Sequence, residues 1–253
     1  MHAYLYGMYT GIYQSSSAMS GLEKWQEAVS QNIASTNVSG YKKIDTVFNS
    51  KGVANMSTED FSTELEVQLV GAKNKTAFTQ GMLTQTSDPM SVAIDGEGFY
   101  QVQQADGTTL FTRNSNFKID SNYRLVNFNG DAILDEAGGE ITFGNNKGNI
   151  DVSQDGLITV DGVEVARLGV YNVPDTSQLL RAEGGFIAPA DADVGAVALE
   201  NPRVLQGYAE QSNVNPITEM VNLIQVNRAY EANTKVISTL DQIMGKVNQN
   251  LAV

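Results

Sequence analysis

Two short stretches combine residue types that hold anions or cations. Gly96-Glu97-Gly98 begins like a glycine-rich phosphate loop. Such a loop needs a third glycine and a following helix, so that backbone N–H groups can cradle the anion. Both are missing here, which favours a β-turn. Asp151-Val152-Ser153-Gln154-Asp155-Gly156 has the flavour of a calcium loop. Its carboxylates are wrongly spaced and no glutamate closes the loop at the twelfth position, so a hairpin is expected instead. Carboxylates are plentiful, yet nothing in their spacing places two across a cleft, and a glycosidase has no positive support. The chain contains a single histidine, His2, and no cysteine. Imidazole or thiolate metal sites, catalytic triads, cysteine nucleophiles and disulfides are thereby disfavoured together. No catalytic, cofactor-binding or metal-binding residue is predicted, and no small-molecule substrate.

The charge balance points away from nucleic acid. A net charge of −13 lacks the basic face that phosphate binding needs. The charge is also unevenly placed. Residues 1–43 sum to +1 and residues 213–253 to zero, which leaves −14 in the middle. Nearly neutral ends can pack against copies of themselves, whereas an acidic middle repels its like. No basic region followed by an apolar run marks a cleaved signal, since Tyr4, Tyr6, Gly7 and Tyr9 interrupt the N-terminal stretch. No stretch is apolar for long enough to span a membrane.

The elements that must carry these charges are helices at the two ends and strands between them. Apolar residues recur at heptad spacing in Leu5, Met8, Ile12, Met19, Leu22, Val29 and Ile33. Gly7, Gly11 and Gly21 weaken that helix, and Asn37-Val38-Ser39-Gly40 stops it, with Gly40 suited to a C-terminal cap. The second helix begins at Asn215, a capping type, with Pro216 at the favoured first position. Its row runs Leu223, Val226, Tyr230, Asn233, Ile237, Leu240, Met244, Val247 and Leu251, in steps of three and four. Asn233 is the polar member, of the kind that sets register. Met220, Val221, Ile224, Ala229, Val236 and Ile243 widen the stripe, which suits a helix touching more than one neighbour. A core helix of one globular domain would show much the same pattern.

Residues 44–88 are poorly periodic and rich in Ser, Thr, Asn and Gln. From Pro89 onward, short β runs alternate with turn signals such as Asp106-Gly107, Asn129-Gly130, Asp155-Gly156 and Asp161-Gly162. The expected fold is therefore α+β. Long N- and C-terminal helices pair as a coiled coil, and the centre is an antiparallel β domain. The expected divisions are an N-terminal helix over 1–43, an extended linker over 44–88, a β-rich domain over 89–204 and a C-terminal helix over 205–253. The two apolar rows are the predicted assembly interface.

Gln31 to Lys42, reading Gln-Asn-Ile-Ala-Ser-Thr-Asn-Val-Ser-Gly-Tyr-Lys, resembles the N-terminal signature of the flagellar rod and hook proteins. The C-terminal end agrees in Gly207-Tyr208, in Ser212-Asn213-Val214-Asn215, and from Glu219 to Asn233, including Arg228, Tyr230 and Glu231. The middle agrees in Gln80-Gly81-Met82-Leu83, in Val92 to Tyr100 with Gly98 and Phe99, and in Thr112-Arg113. Carried over from the family, the motif residues are Asn32, Ala34, Asn37, Gly40, Tyr41, Lys42, Gly98, Phe99, Arg113, Ser212, Asn213, Val214, Arg228, Tyr230 and Glu231. Ser35 stands where the family usually has Asn, and Ser115 and Tyr123 where it tends to have Gly. Tyr123 puts a local turn in question, because a bulky residue disfavours positive φ.

The resemblance implies a bacterial flagellar axial protein, a structural subunit and not an enzyme. In that family the terminal helices build an inner tube with the β domain outside. The subunits cross the flagellar type III export apparatus without a cleaved signal and polymerise in the periplasm. The rod they form is the drive shaft that passes motor torque to the hook. Implied partners are copies of itself, other rod and hook proteins, the export apparatus and the bushing rings. Only 36 residues separate Lys43 from Gln80, which leans towards the proximal rod type. Gln206-Gly207-Tyr208 with Ser212 to Asn215 looks like the distal type. Other classes of function are a secreted β-domain binding module dimerised by its helices, and an enzyme acting on peptidoglycan.

Overall fold

A computed structural model describes residues 2–53, 67–144, 148–189 and 194–251, with side chains outside 2–9, 51–53, 67–69 and 247–251. The chain divides into two units. Unit 1 joins residues 1–34, 44–77 and 215–253, and unit 2 joins 35–43 with 78–214.

Unit 1 consists of α1 (His2–Ala34), β1 (Ile44–Val53), β2 (Val67–Thr76) and α2 (Pro216–Leu251). Asn215 caps α2, its Oδ1 accepting from Ile217 N and Thr218 N. The poorly periodic 44–53 and 67–76 segments pair antiparallel over ten residues, from Ile44 opposite Thr76 to Val53 opposite Val67. The two helices run antiparallel. Near one end Gly11 lies against Leu240, and near the other Asn32 donates to Glu219.

The predicted long coiled coil is not what forms. α1 shares its surface between α2 and the β1–β2 pair. Ser17 Oγ donates to Val70 O, Lys24 Nζ reaches Ala72 O, and the Trp25 and Phe48 rings meet edge to face at 5.8 Å. Among the described side chains of the two apolar rows, only Leu22, Val29 and Val226 are buried. Ile12, Met19, Ile33, Leu223, Tyr230, Asn233, Ile237, Leu240 and Met244 are half-buried. The side chains of Leu5, Met8, Val247 and Leu251 lie outside the described residues. Asn233 turns its amide to Ala229 O of its own helix instead of reading a partner helix. Heptad spacing marks an apolar face; it does not say whether a helix or a sheet will cover it. The α+β class itself stands.

The glycines of α1 allow close approach. A Cβ at Gly11 would stand 3.4 Å from Leu240 Cδ1, and one at Gly21 3.2 Å from Phe48 Cε1. Gly40 does not cap α1, which ends at Ala34. It sits in unit 2 with φ 70°, and a Cβ there would lie 2.3 Å from the Arg113 backbone.

Unit 2 is antiparallel β. Its strands are β3 (Leu83–Gln85), β4 (Val92–Ile94), β5 (Phe99–Gln103), β6 (Thr109–Thr112), β7 (Lys118–Ile119), β8 (Leu125–Val126), β9 (Ala132–Ile133), β10 (Ile150–Val152), β11 (Leu157–Val160), β12 (Val163–Arg167), β13 (Val170–Asn172), β14 (Leu180–Ala182), β15 (Gly185–Ile187), β16 (Val197–Ala198), β17 (Val204–Gln206) and β18 (Tyr208–Glu210). The main sheet runs β14-β15-β6-β5-β9-β8-β7, with β13 beside β5 and β16 beyond β13. Because side chains alternate across a strand, β5 and β6 serve two cores. Tyr100, Val102 and Leu110 join a cluster with Ile94, Ile133, Ile141, Ile158 and Leu168. Phe99 and Phe111 point into a second one with Val173, Leu179 and Phe186. β17 pairs with β4 and β18 with β3, so the last strands close on the first.

Four turns share one construction. Asp120, Asn127, Asp135 and Ser153 each take, on the backbone carbonyl, the N–H three residues on. Each also takes, on the side-chain oxygen, the N–H four residues on. The fourth position has positive φ in all of them. It is Gly130, Gly138 and Gly156 in three turns and Tyr123, at φ 61°, in the other. Tyr123 thus adopts the conformation that its bulk disfavours. Asp161 and Gly162, both at positive φ, form the two-residue hairpin between β11 and β12.

Candidate functional site

The motif residues of unit 2 converge on a side chain that the sequence did not single out. Glu210 ends β18 and is fully buried. Its Oε1 accepts from Lys42 Nζ at 2.6 Å and from Gly81 N at 2.9 Å. Its Oε2 accepts from Arg113 Nη1 at 3.2 Å. Its backbone is engaged as well. Glu210 N donates to Ser115 Oγ, and Glu210 O accepts from Gly40 N and Ser39 Oγ. One residue therefore ties together segments near residues 40, 81 and 114.

Lys42 and Arg113 give this cluster two cations against one carboxylate, all three at most 6% exposed. Burial pushes the Lys42 ammonium below its ordinary range, while the Glu210 carboxylate opposes that shift. Lys42 also donates to Thr79 O, and Arg113 Nη2 to Gly96 O. The Arg113 guanidinium lies over the Phe99 ring at 5.3 Å. Its Nε has no hydrogen-bond partner among the described residues. Nearby, Arg181 lies between the Tyr41 and Phe186 rings and donates to Lys42 O at 2.6 Å. Asn213 Oδ1 accepts from Lys43 N, and its Nδ2 donates to Thr79. Gly98, at φ 119°, has Val170 Cγ1 where a Cβ would need room. Ser115 is no neutral stand-in for Gly: its buried hydroxyl also pairs with Ser39.

A smaller polar joint lies within unit 1. Asn32 is buried. Its Oδ1 accepts from Ile44 N, and its Nδ2 donates to Ile44 O and to the buried Glu219. The joint holds the end of α1, the start of β1 and the first turn of α2. Other motif residues are not gathered into either cluster. Ala34, Asn37, Arg228 and Glu231 are exposed, Ser212 accepts from Val214 N, and Tyr230 is half-buried.

α2 has a second apolar side. Ile217, Met220, Val221 and Ile224 are 73%, 53%, 48% and 53% exposed. At about 100° per residue they lie on the side of the helix away from Leu223, Val226 and Tyr230. Val236 and Ile243, at 47% and 43%, are exposed further along. Glu210 and this outer face escaped the sequence differently. A single Glu in a short strand carries no signal of burial, whereas the outer-face residues were visible as stripe-widening positions without a known side.

Unit 2 thus joins distant segments through buried charges, and unit 1 carries an exposed apolar side on α2. Comparison with known proteins gives the family. Residues 205–250 match the family model "Flagellar basal body rod FlgEFG protein C-terminal", and residues 93–160 match "Flagellar hook protein FlgE/F/G D1 domain". The chain is 33% identical over 242 residues to the flagellar basal-body rod protein FlgG of Buchnera aphidicola subsp. Acyrthosiphon pisum, covering 87% of this chain and 92% of that one. It is 30% identical over 266 residues to FlgG of Borreliella burgdorferi, covering 95% and 98%. It is 29% identical over 249 residues to the rod protein FlgF of Caulobacter vibrioides, covering 95% and 100%. The chain belongs to the flagellar basal-body rod protein family.

Proposed function

We propose that the chain is a structural subunit of the flagellar basal-body rod and polymerises through unit 1, while unit 2 serves as a stiff outer body. The supporting observation is the outer side of α2. Four large apolar residues within two turns, each about half exposed or more, amount to a sticky patch on a lone subunit. Burial of each is worth roughly 1.5–3 kcal/mol once a neighbour covers it. Apart from the buried Val226, the row from Leu223 to Met244 is half-buried and has apolar surface left for neighbours as well. In this reading the neighbours are copies of the chain and other rod and hook proteins. The chain reaches them through the flagellar export apparatus, the finished rod meets the bushing rings, and it transmits torque to the hook.

Ile224→Asp tests the proposal. The side chain is exposed in the subunit, so the melting of the purified protein should stay unchanged. Burial of an unpaired charge in the assembly costs several kcal/mol, so motility and recovery of rods should be lost. Motile cells carrying Ile224→Asp would refute this use of α2.

A further inference from the structure

Unit 1 has a second exposed apolar surface, where α1 meets the β1–β2 pair. Tyr13 is 56% exposed, Phe48 41% and Val70 37%. Their contacts place them along one seam. Ser17 Oγ donates to Val70 O at 2.7 Å, and Tyr13 lies one turn before Ser17 on the same face of α1. Trp25 meets Phe48 edge to face, and Gly21 keeps α1 close to the Phe48 ring. Aromatic side chains with apolar bodies half in water are the residues that most often anchor protein interfaces.

We propose that this seam, formed by Tyr13, Trp25, Phe48 and Val70, receives the Ile217–Ile224 side of α2 from a second copy of the chain, head to tail. The inference rests on the rod-subunit reading above. Two observations select a second copy and this pairing. The first is charge. Unit 2 carries nineteen Asp and Glu against nine Lys and Arg, so copies repel there. Unit 1 holds ten acidic and seven basic side chains, a net −3 against −10 for unit 2, so copies repel each other far less there. The second is symmetry. An α2 patch that met its own counterpart would close a dimer and stop, whereas a growing shaft needs two different surfaces that fit each other. The aromatic seam is a second such surface in the same unit.

The chain has no cysteine, so introduced thiols report without background. Tyr13→Cys and Ile224→Cys in one chain cannot pair with each other internally. The antiparallel helices set those positions about 20 Å apart along the axis, at about 1.5 Å per residue. A disulfide needs Cα atoms within about 7 Å. Mild oxidation of isolated basal bodies should convert the double variant into a ladder of covalent dimers, trimers and higher species, and leave each single variant monomeric. Dimers from Ile224→Cys alone would reveal an α2-to-α2 contact and overturn the proposal. Monomer alone from the double variant, in basal bodies of motile cells, would overturn it too. A second arm uses Tyr13→Glu combined with Val70→Glu, both exposed in the subunit. Loss of motility with an unchanged subunit melt is expected, and motile cells would refute the seam. If Ile224→Asp abolishes motility while this charged seam does not, the rod-subunit reading stands and the seam is not its partner surface.

Discussion

Glu210 shows how a single side chain can organise a β unit. It balances Lys42 and Arg113 at once, so the three are not equivalent. Glu210→Gln leaves two buried cations facing no carboxylate, and should cost unit 2 about 3–5 kcal/mol. Lys42→Met removes the surplus cation and keeps the Arg113–Glu210 pair. Gly81 N still donates to Oε1, so the loss should be smaller, on the order of 1–2 kcal/mol. Denaturant melts of the two variants would check this order, and equal losses would mean that the cluster acts by packing alone. Tyr123 gives a prediction of opposite sign. It holds the left-handed position that glycine fills in the three sister turns. The conformation costs a side-chain-bearing residue about 1–2 kcal/mol, partly offset by glycine's greater chain entropy. Tyr123→Gly should therefore raise the stability of unit 2 by up to about 1 kcal/mol, and Tyr123→Ala should not. A lower melting temperature for the glycine variant would show that the half-buried ring contributes more than the strain.

At the scale of elements, α1 and α2 share work with a hairpin. α1 divides its apolar side between α2 and the β1–β2 pair, which is why neither row closes into a coiled-coil seam. Leu240 still packs against Gly11 of α1. Leu240→Asp places a carboxylate in that contact, at a cost of several kcal/mol unless it protonates. Gln242 is exposed, so Gln242→Asp should stay within about 0.5 kcal/mol. The pair is read by thermal melting together with motility. Loss of motility with the unit 2 melt preserved for Leu240→Asp, and normal behaviour for Gln242→Asp, is expected. Collapse of the unit 2 melt would make α2 the core of a single cooperative fold.

The molecule as a whole is unevenly stabilised. Among the described residues, the buried apolar side chains of unit 1 are Leu22, Ala28, Val29, Ile44, Ala72 and Val226, while unit 2 holds two clusters on its main sheet. Local stability follows buried apolar contact. In the purified subunit, amide exchange should be fast along much of α1 and α2 and slow in β5, β6 and β9. Assembly should then slow exchange most in α2 from Ile217 to Ile224. Equal protection of both units in a verified monomer would remove the reason for coupling unit 1 to assembly.

The α+β order, with helices at the ends and strands between, was legible because helices repeat near 3.6 residues and strands near two, and both periods survive in a single sequence. The turns were legible from Asp-Gly and Asn-Gly for the same local reason: positive φ selects glycine whatever surrounds it. The family was legible in Asn32, Gly40-Tyr41-Lys42 and Arg113, which are ordered words along the chain. What those words do was decided only in three dimensions. Lys42, Arg113 and Glu210 are 168 and 97 residues apart in sequence. Their meeting depends on β18 pairing with β3, more than a hundred residues apart in the chain, and no local period encodes such a closure. The coiled coil failed on the same ground. An apolar stripe states that a face will be covered, and the identity of the cover, here a hairpin as much as a helix, is a property of tertiary packing.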